Sequence, residues 1–166
     1  RFNELSYWTD LAQTLEKGLF DGLFIADITG VYDVYQNGIE LTLKESIQLP
    51  SHDPSTLVSA MAAVTQNLGF GITVNLSYES PYQFARRFAS LDHLTQGRIG
   101  WNIVTGYLDS AERLIGQKGL KDHDLRYEQA EKFLQLCYKF KEGSWENDAE
   151  KKKKKQRVFT DPSKVH

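Results

Sequence analysis

Cysteine is nearly absent: Cys137 is the single one in 166 residues. That excludes an internal disulfide framework and any metal site built from several thiolates. No run of about 18 apolar residues exists from which to build a bilayer-spanning helix. A charged-then-apolar segment of the signal-peptide kind is missing as well. Excess charge of one sign is also lacking, because 20 basic and 22 acidic side chains leave a formal charge of −2. A general binder of nucleic acid or anionic membrane is far more basic. These absences predict a cytoplasmic protein with neither nucleic acid nor a membrane as partner.

Several chemical signatures are absent too. Neither G-x-G-x-x-G nor G-x-x-x-x-G-K-[ST] occurs, so no phosphate loop is expected between a strand and a helix. The nucleophile elbow G-x-S-x-G is missing, which argues against a serine hydrolase. No set of His, Asp or Glu has metal-ligand spacing. Cys137 falls on the apolar face of a predicted helix and reads as a small core residue.

What is there is a core in search of a fold. Hydrophobic residues make up 40% and aromatics 12% of the chain, enough to exclude general disorder. The chain opens on Arg1, already reads as helix by Tyr7, and stops at His166. A piece of a longer polypeptide is the expectation.

Three- and four-residue spacing of Leu5, Trp8, Leu11, Ala12, Leu15 and Leu19 predicts a helix over 4–17. Gly22 to Asp27 is a short apolar run ending on a carboxylate, the pattern of a parallel strand buried on both faces. Residues 28–52 show no period and read as a long loop. Asp53-Pro54 starts a helix that Gly69 closes, and a strand follows over 70–76. Ser80-Pro81 opens another helix, with Phe84, Ala85, Phe88, Leu91 and Leu94 inward and Gly97 at its end. Residues 98–105 form the third strand. The last helix is expected over 124–141, with Tyr127, Ala130, Phe133, Leu134, Cys137 and Phe140 inward. The five lysines Lys151 to Lys155 read as a solvated loop.

Alternating helices and strands imply parallel strands with right-handed crossovers. An open doubly wound sheet and a closed (β/α)8 barrel compete. The strand ends carry isolated polar residues, Asp27, Asn75, and the pair Asn102 and Thr105, which is where barrel enzymes place their chemistry. A barrel takes eight strands and roughly 250 residues, so this chain holds about three of its β/α units. Thr73 and Asn75 share a strand face. Asn102 sits inside an apolar strand, where an amide must find partners. His123 and Tyr127 lie four apart, on one side of a helix start that would suit a phosphate; an exposed cap and a core aromatic would give the same spacing.

Six ordered blocks carry a resemblance over nearly the whole chain. They are residues 22–27; 53–54 with 60–65; 81–82 with 85–94; 97–105; 123–127; and 144–149. The sequence resembles the nitrilotriacetate monooxygenase branch of the luciferase-like flavin monooxygenases, whose relatives include dimethyl-sulfide and dibenzothiophene-sulfone monooxygenases. The resemblance implies a (β/α)8 TIM barrel of which residues 1–166 are an N-terminal part, lacking the first strand and the later ones. It implies FMN, reduced by a separate NAD(P)H-dependent flavin reductase. With O2 the family oxygenates small organic substrates, often cleaving a C–N or C–S bond. By resemblance the cofactor contacts fall on Asp27, Thr73 or Asn75, Asn102, His123 and Tyr127; no catalytic acid or base is assigned. A homodimer through barrel helices, with Phe84 and Phe88 contributing, also belongs to this expectation. Arg113 to Gly116 departs from an Asn-Phe-Gly step common in the family. Two other readings stay open: a non-catalytic remnant without flavin turnover, and a deazaflavin oxidoreductase of the same superfamily.

Overall fold

The apolar runs become strands β1 (Gly22–Ile25), β2 (Gly69–Asn75) and β3 (Ile99–Val104) in the computed structural model, which describes residues 1–153, 155 and 157–166. They pair in chain order, all parallel. Phe24 stands opposite Gly71 and Gly71 opposite Gly100; further up, Thr73 pairs with Asn102 and Asn75 with Val104. Alternation along each strand then sorts the two faces. Leu23, Ile25, Phe70, Ile72, Val74, Ile99 and Trp101 pack into the core. Phe24, Thr73, Asn75 and Asn102 take the other face.

The helices are α1 (Leu5–Lys17), α2 (Glu40–Lys44), α3 (Ser55–Ala63), α4 (Pro81–Thr95), α5 (Asp109–Leu114) and α6 (His123–Glu142). Ala12, Met61, Phe84, Phe88, Phe133 and Cys137 bring α1, α3, α4 and α6 onto the sheet. At its centre Phe84 lies 4.3 Å from Phe88 and 4.0 Å from Trp101, ring to ring. Local chemistry sets the helix starts. Asp53 Oδ1 accepts from the Ser55 N–H at 2.9 Å, and Ser80 Oγ from the Gln83 N–H at 3.3 Å with Pro81 in the first turn.

Several expectations change. The segment read as a long loop contains a 3₁₀ turn, Tyr35–Asn37, and α2. Helix α3 stops at Ala63, six residues short of Gly69, which instead opens β2. Helix α5 is too short to show a period. Leu94 is exposed and Thr95 takes the buried place beside it. Tyr127 and Phe140 are also exposed, Phe140 meeting Tyr82 edge-on at 5.6 Å. Phe84 and Phe88 are buried in this core, so neither offers a dimer surface. Lys151 to Lys153 lie in β4 (Glu150–Lys153), antiparallel to β5 (Val158–Thr160), rather than in a loop. Lys154 lies outside the described residues. Acidic neighbours offset the local charge: Asp148 meets Lys164 at 2.5 Å and Lys151 at 3.5 Å.

One side chain organises the N-terminal edge of the sheet. Arg98 Nε donates to the Thr95 carbonyl at 2.9 Å, ending α4. Its Nη1 reaches the Leu68 carbonyl and Thr65 Oγ1, both at 2.9 Å. Its Nη2 reaches the Ala62 and Thr65 carbonyls at 3.0 and 3.2 Å. From α1, Glu16 accepts the N–H groups of Gln66, Asn67 and Leu68. Those backbone donors, foremost Asn67, hold its carboxyl below the usual range. Replacing Arg98 with methionine keeps the apolar stem and strands these acceptors. Unfolding in urea should then show a loss of about 3 kcal/mol or more; a loss under about 1 kcal/mol would show that water replaces the guanidinium at no cost.

Candidate functional site

The C-terminal ends of β2 and β3, with the segments after β1 and β3, enclose a cavity of about 80 Å³. Asp27, Thr73, Asn75, Tyr78, Gly106 and Tyr107 are among its lining. Parallel pairing delivers all three strand ends to one edge, so residues far apart in sequence meet there.

Each polar group has a definite state. Burial pushes the Asp27 carboxyl above the usual aspartate range; the charge of Asp53 adds to this, and the Ile28 N–H opposes it. Thr73 is buried and accepts a hydrogen bond from Asn102 Nδ2 at 3.0 Å. Asn75 Oδ1 accepts from the Ser77 N–H at 2.9 Å, an Asx turn that leads the chain out of β2. Burial, and then the charge of Glu112, push the Tyr78 phenol up to about 12. Tyr107 also rises to about 12, from burial and its hydrogen bond with Tyr32, whose hydroxyl stands 2.6 Å away. Glu112 is only 2% exposed, and its Oε1 has no hydrogen-bond partner among the described residues.

The expected residues are therefore only partly united. Asp27, Thr73 and Asn75 line the cavity, whereas Asn102 reaches it through Thr73. His123 and Tyr127 do share one side of α6, with ring centroids 4.7 Å apart. They stand outside the cavity, and His123 pairs with Asp124 at 2.9 Å. Tyr127 lines a neighbouring groove of about 420 Å³ that shares Val104, Gly106 and Tyr107 with the cavity. Arg126 links the two by donating to the Gly106 carbonyl. Tyr78, Gly106, Tyr107 and Glu112 were not foreseen. The first three follow directly on strand ends, and that position was the signal available for them. Glu112 gave no signal, because an acidic residue in a polar stretch reads as solvated.

Comparison with known proteins adds the family. The profile described as luciferase-like monooxygenase matches residues 3–161. The dimethyl-sulfide monooxygenase of Hyphomicrobium sulfonivorans is 53% identical over all of this chain and 35% of its own length. The long-chain alkane monooxygenase of Geobacillus thermodenitrificans is 51% identical over all of this chain and 38% of its own. A crystal structure of a long-chain alkane monooxygenase superposes on 99% of this chain, and 38% of its own, with a TM-score of 0.95. A riboflavin lyase structure with modified FMN and riboflavin gives 0.89 at 43% identity, over 98% of this chain and 36% of its own. Nitrilotriacetate monooxygenase component A of Aminobacter aminovorans stands further off, at 34% over 84% of this chain and 31% of its own. The chain thus spans little more than a third of the curated relatives it matches. Its three-stranded sheet and helices are part of a (β/α)8 barrel of the luciferase-like type.

Gly106 is where the cavity is least tolerant. Its φ is +78°, and a Cβ there would meet Asn75 Nδ2 at 2.7 Å. Gly97 has a similar φ of +82° with nothing within 4 Å, so it isolates backbone strain from crowding. Gly97→Ala should cost about 1 kcal/mol in a denaturation series. Gly106→Ala should cost about 1–3 kcal/mol more, from the displaced Asn75 amide. Equal losses at the two positions would show that the Asn75 contact yields freely.

Proposed function

Because the chain belongs to the luciferase-like monooxygenase family, we propose that it carries part of the flavin site of a two-component, FMN-dependent monooxygenase. The observation behind this reading is the cavity in which Asp27, Thr73 and Asn75 meet at the strand ends. The polar edge of an isoalloxazine presents carbonyl oxygens on either side of a ring N–H. A carboxyl, a hydroxyl and an amide within one cavity match that mixture of acceptors and donors. At about 80 Å³ the enclosed volume suits the edge of the ring, with the remainder extending outward. His123 and Tyr127, at the N-terminus of α6, would meet the phosphate end, because helix N-termini favour anions.

Bound FMN supplies the oxygen chemistry; the residues of this chain hold and orient it and keep water away. In this reading a separate NAD(P)H-dependent reductase delivers the reduced cofactor and O2 is the co-substrate. The more similar relatives act, by name, on dimethyl sulfide and long-chain alkanes. That favours an uncharged substrate, a small thioether or an alkane, with C–S cleavage in the thioether case, over a polycarboxylate such as nitrilotriacetate.

Titrating the 166-residue chain with FMN and following flavin fluorescence tests the reading. Saturable quenching is expected, and His123→Ala should weaken it by about tenfold through loss of a phosphate contact. A folded chain that leaves FMN fluorescence unchanged would favour a remnant without flavin binding. A quenching curve identical in His123→Ala would remove the phosphate-end assignment.

Asp27 gives the same binding a pH dependence of predictable sign. An ionised carboxyl accepts strongly from a ring N–H, whereas a protonated one is a weaker acceptor and adds a donor. Because burial raises the Asp27 pKa, FMN affinity should fall with decreasing pH from above the ordinary aspartate range. Asp27→Asn should bind more weakly at neutral pH and show a flat profile there. A wild-type profile that is flat down to the usual aspartate range would sink the Asp27 contact.

A further inference from the structure

We infer that Asn102 is a positioning residue whose amide fixes the Thr73 hydroxyl as a hydrogen-bond donor toward the cavity. The inference takes the identity of the occupant from the flavin reading above, but its polarity argument stands on this chain's own atoms.

Thr73 and Asn102 are register partners on β2 and β3, on the face turned away from the helices. Asn102 Nδ2 donates to Thr73 Oγ1 at 3.0 Å. A threonine hydroxyl holds one O–H and two acceptor lone pairs. The amide takes a lone pair and leaves the O–H to find an acceptor of its own. No acceptor for it occurs among the described residues. Thr73 is 5% exposed and lines the cavity, whereas Asn102 does not. A buried donor without an acceptor is costly, so this hydroxyl is built to be met by a ligand.

Polarity then selects the occupant and its orientation. At Thr73 the ligand must present an acceptor, a carbonyl oxygen or an unprotonated ring nitrogen. An N–H at that point could take the second lone pair but would leave the buried O–H without an acceptor. Asp27, at the end of the strand on the other side of β2, accepts when ionised. Donor at Thr73 and acceptor at Asp27 make an asymmetric pair, which a neighbouring C=O and N–H of a flavin edge satisfy with the C=O toward Thr73 and the N–H toward Asp27. Without Asn102 the hydroxyl could turn either way and the cavity would lose this direction.

Two arms test the inference, one of them free of flavin. In a ¹⁵N-labelled chain the Asn102 side-chain amide is identified by its loss in Asn102→Asp. Thr73→Val should shift that cross-peak and speed its exchange, while Thr73→Ser should leave both as in the wild type. In the FMN titration, Thr73→Val should weaken binding about tenfold and Thr73→Ser should restore it. Asn102→Asp carries only acceptors when ionised, so the Thr73 O–H should turn to it and binding should fall as far as in Thr73→Val. An amide cross-peak indifferent to Thr73→Val overturns the inference. So does an Asn102→Asp chain that binds FMN like the wild type while Thr73→Val does not. If the wild-type chain binds no FMN, the flavin reading falls by itself and the amide arm decides the role of Asn102. If Asn102→Asp fails to fold by far-UV circular dichroism, the Thr73 variants decide it in the same way.

Discussion

The guanidinium of Arg98 is the interaction on which the arrangement of the sheet depends. It joins the last turn of α4, the end of α3 and the entrance to β2 through their backbone carbonyls. Glu16 completes the clamp from α1 by taking the N–H groups of the same connection. A cation on the carbonyls and an anion on the amides fix residues 65–68 from opposite electrical sides. The pair lies at the N-terminal end of the strands, where barrel residues serve stability, and leaves the C-terminal end free for chemistry. Because it pins the start of β2, it also pins that strand's register. A slip of one residue would send Ile72 and Val74 into the cavity and Thr73 and Asn75 into the core.

The opposite edge is held by a different device. Chain leaving β2 turns on the Asn75 side chain, and chain leaving β3 passes through the left-handed backbone of Gly106. The two turns touch, since Asn75 lies where a Gly106 side chain would be. Arg126 then ties the Gly106 carbonyl to the first turns of α6. One glycine thereby connects the cavity to the helix start that presents His123 and Tyr127. Disturbing it would reach both halves of the candidate site.

Much of this architecture is legible in the sequence. Residues 22–25, 69–75 and 99–104 are apolar runs of strand length, and Asp53, Ser80 and Pro81 announce the helices that follow. The face of each strand follows from alternation, which is why Thr73 and Asn75 could be paired in advance. Helix α6 marks the limit of such reading. Its period places Ala130, Phe133 and Cys137 correctly, yet Tyr127 and Phe140 lie at its ends, where packing stops while the pattern continues. Glu112 and Arg98 were illegible for another reason. A charged residue declares nothing about its partners until the strands are paired, and these two are defined by what surrounds them.

The electrostatics of the cavity account for why the candidate residues divide into two groups. Burial, with the charge of Asp53, raises Asp27, and burial, with the charges of Glu112 and Asp27, raises Tyr78, so the cavity disfavours added negative charge. Near neutral pH the phenols of Tyr78 and Tyr107 stay protonated, and the interior offers hydroxyls and an amide to a neutral polar edge. A phosphate placed there would meet the same burial that, foremost, drives those phenols to about 12, with the charges of Glu112 and Asp27 added at Tyr78. The N-terminus of α6 lies outside that burial and presents a helix dipole to an anion, with Asp122 and Asp124 beside His123. On the proposed flavin reading, the neutral heteroaromatic head lies inward and the anionic tail toward His123.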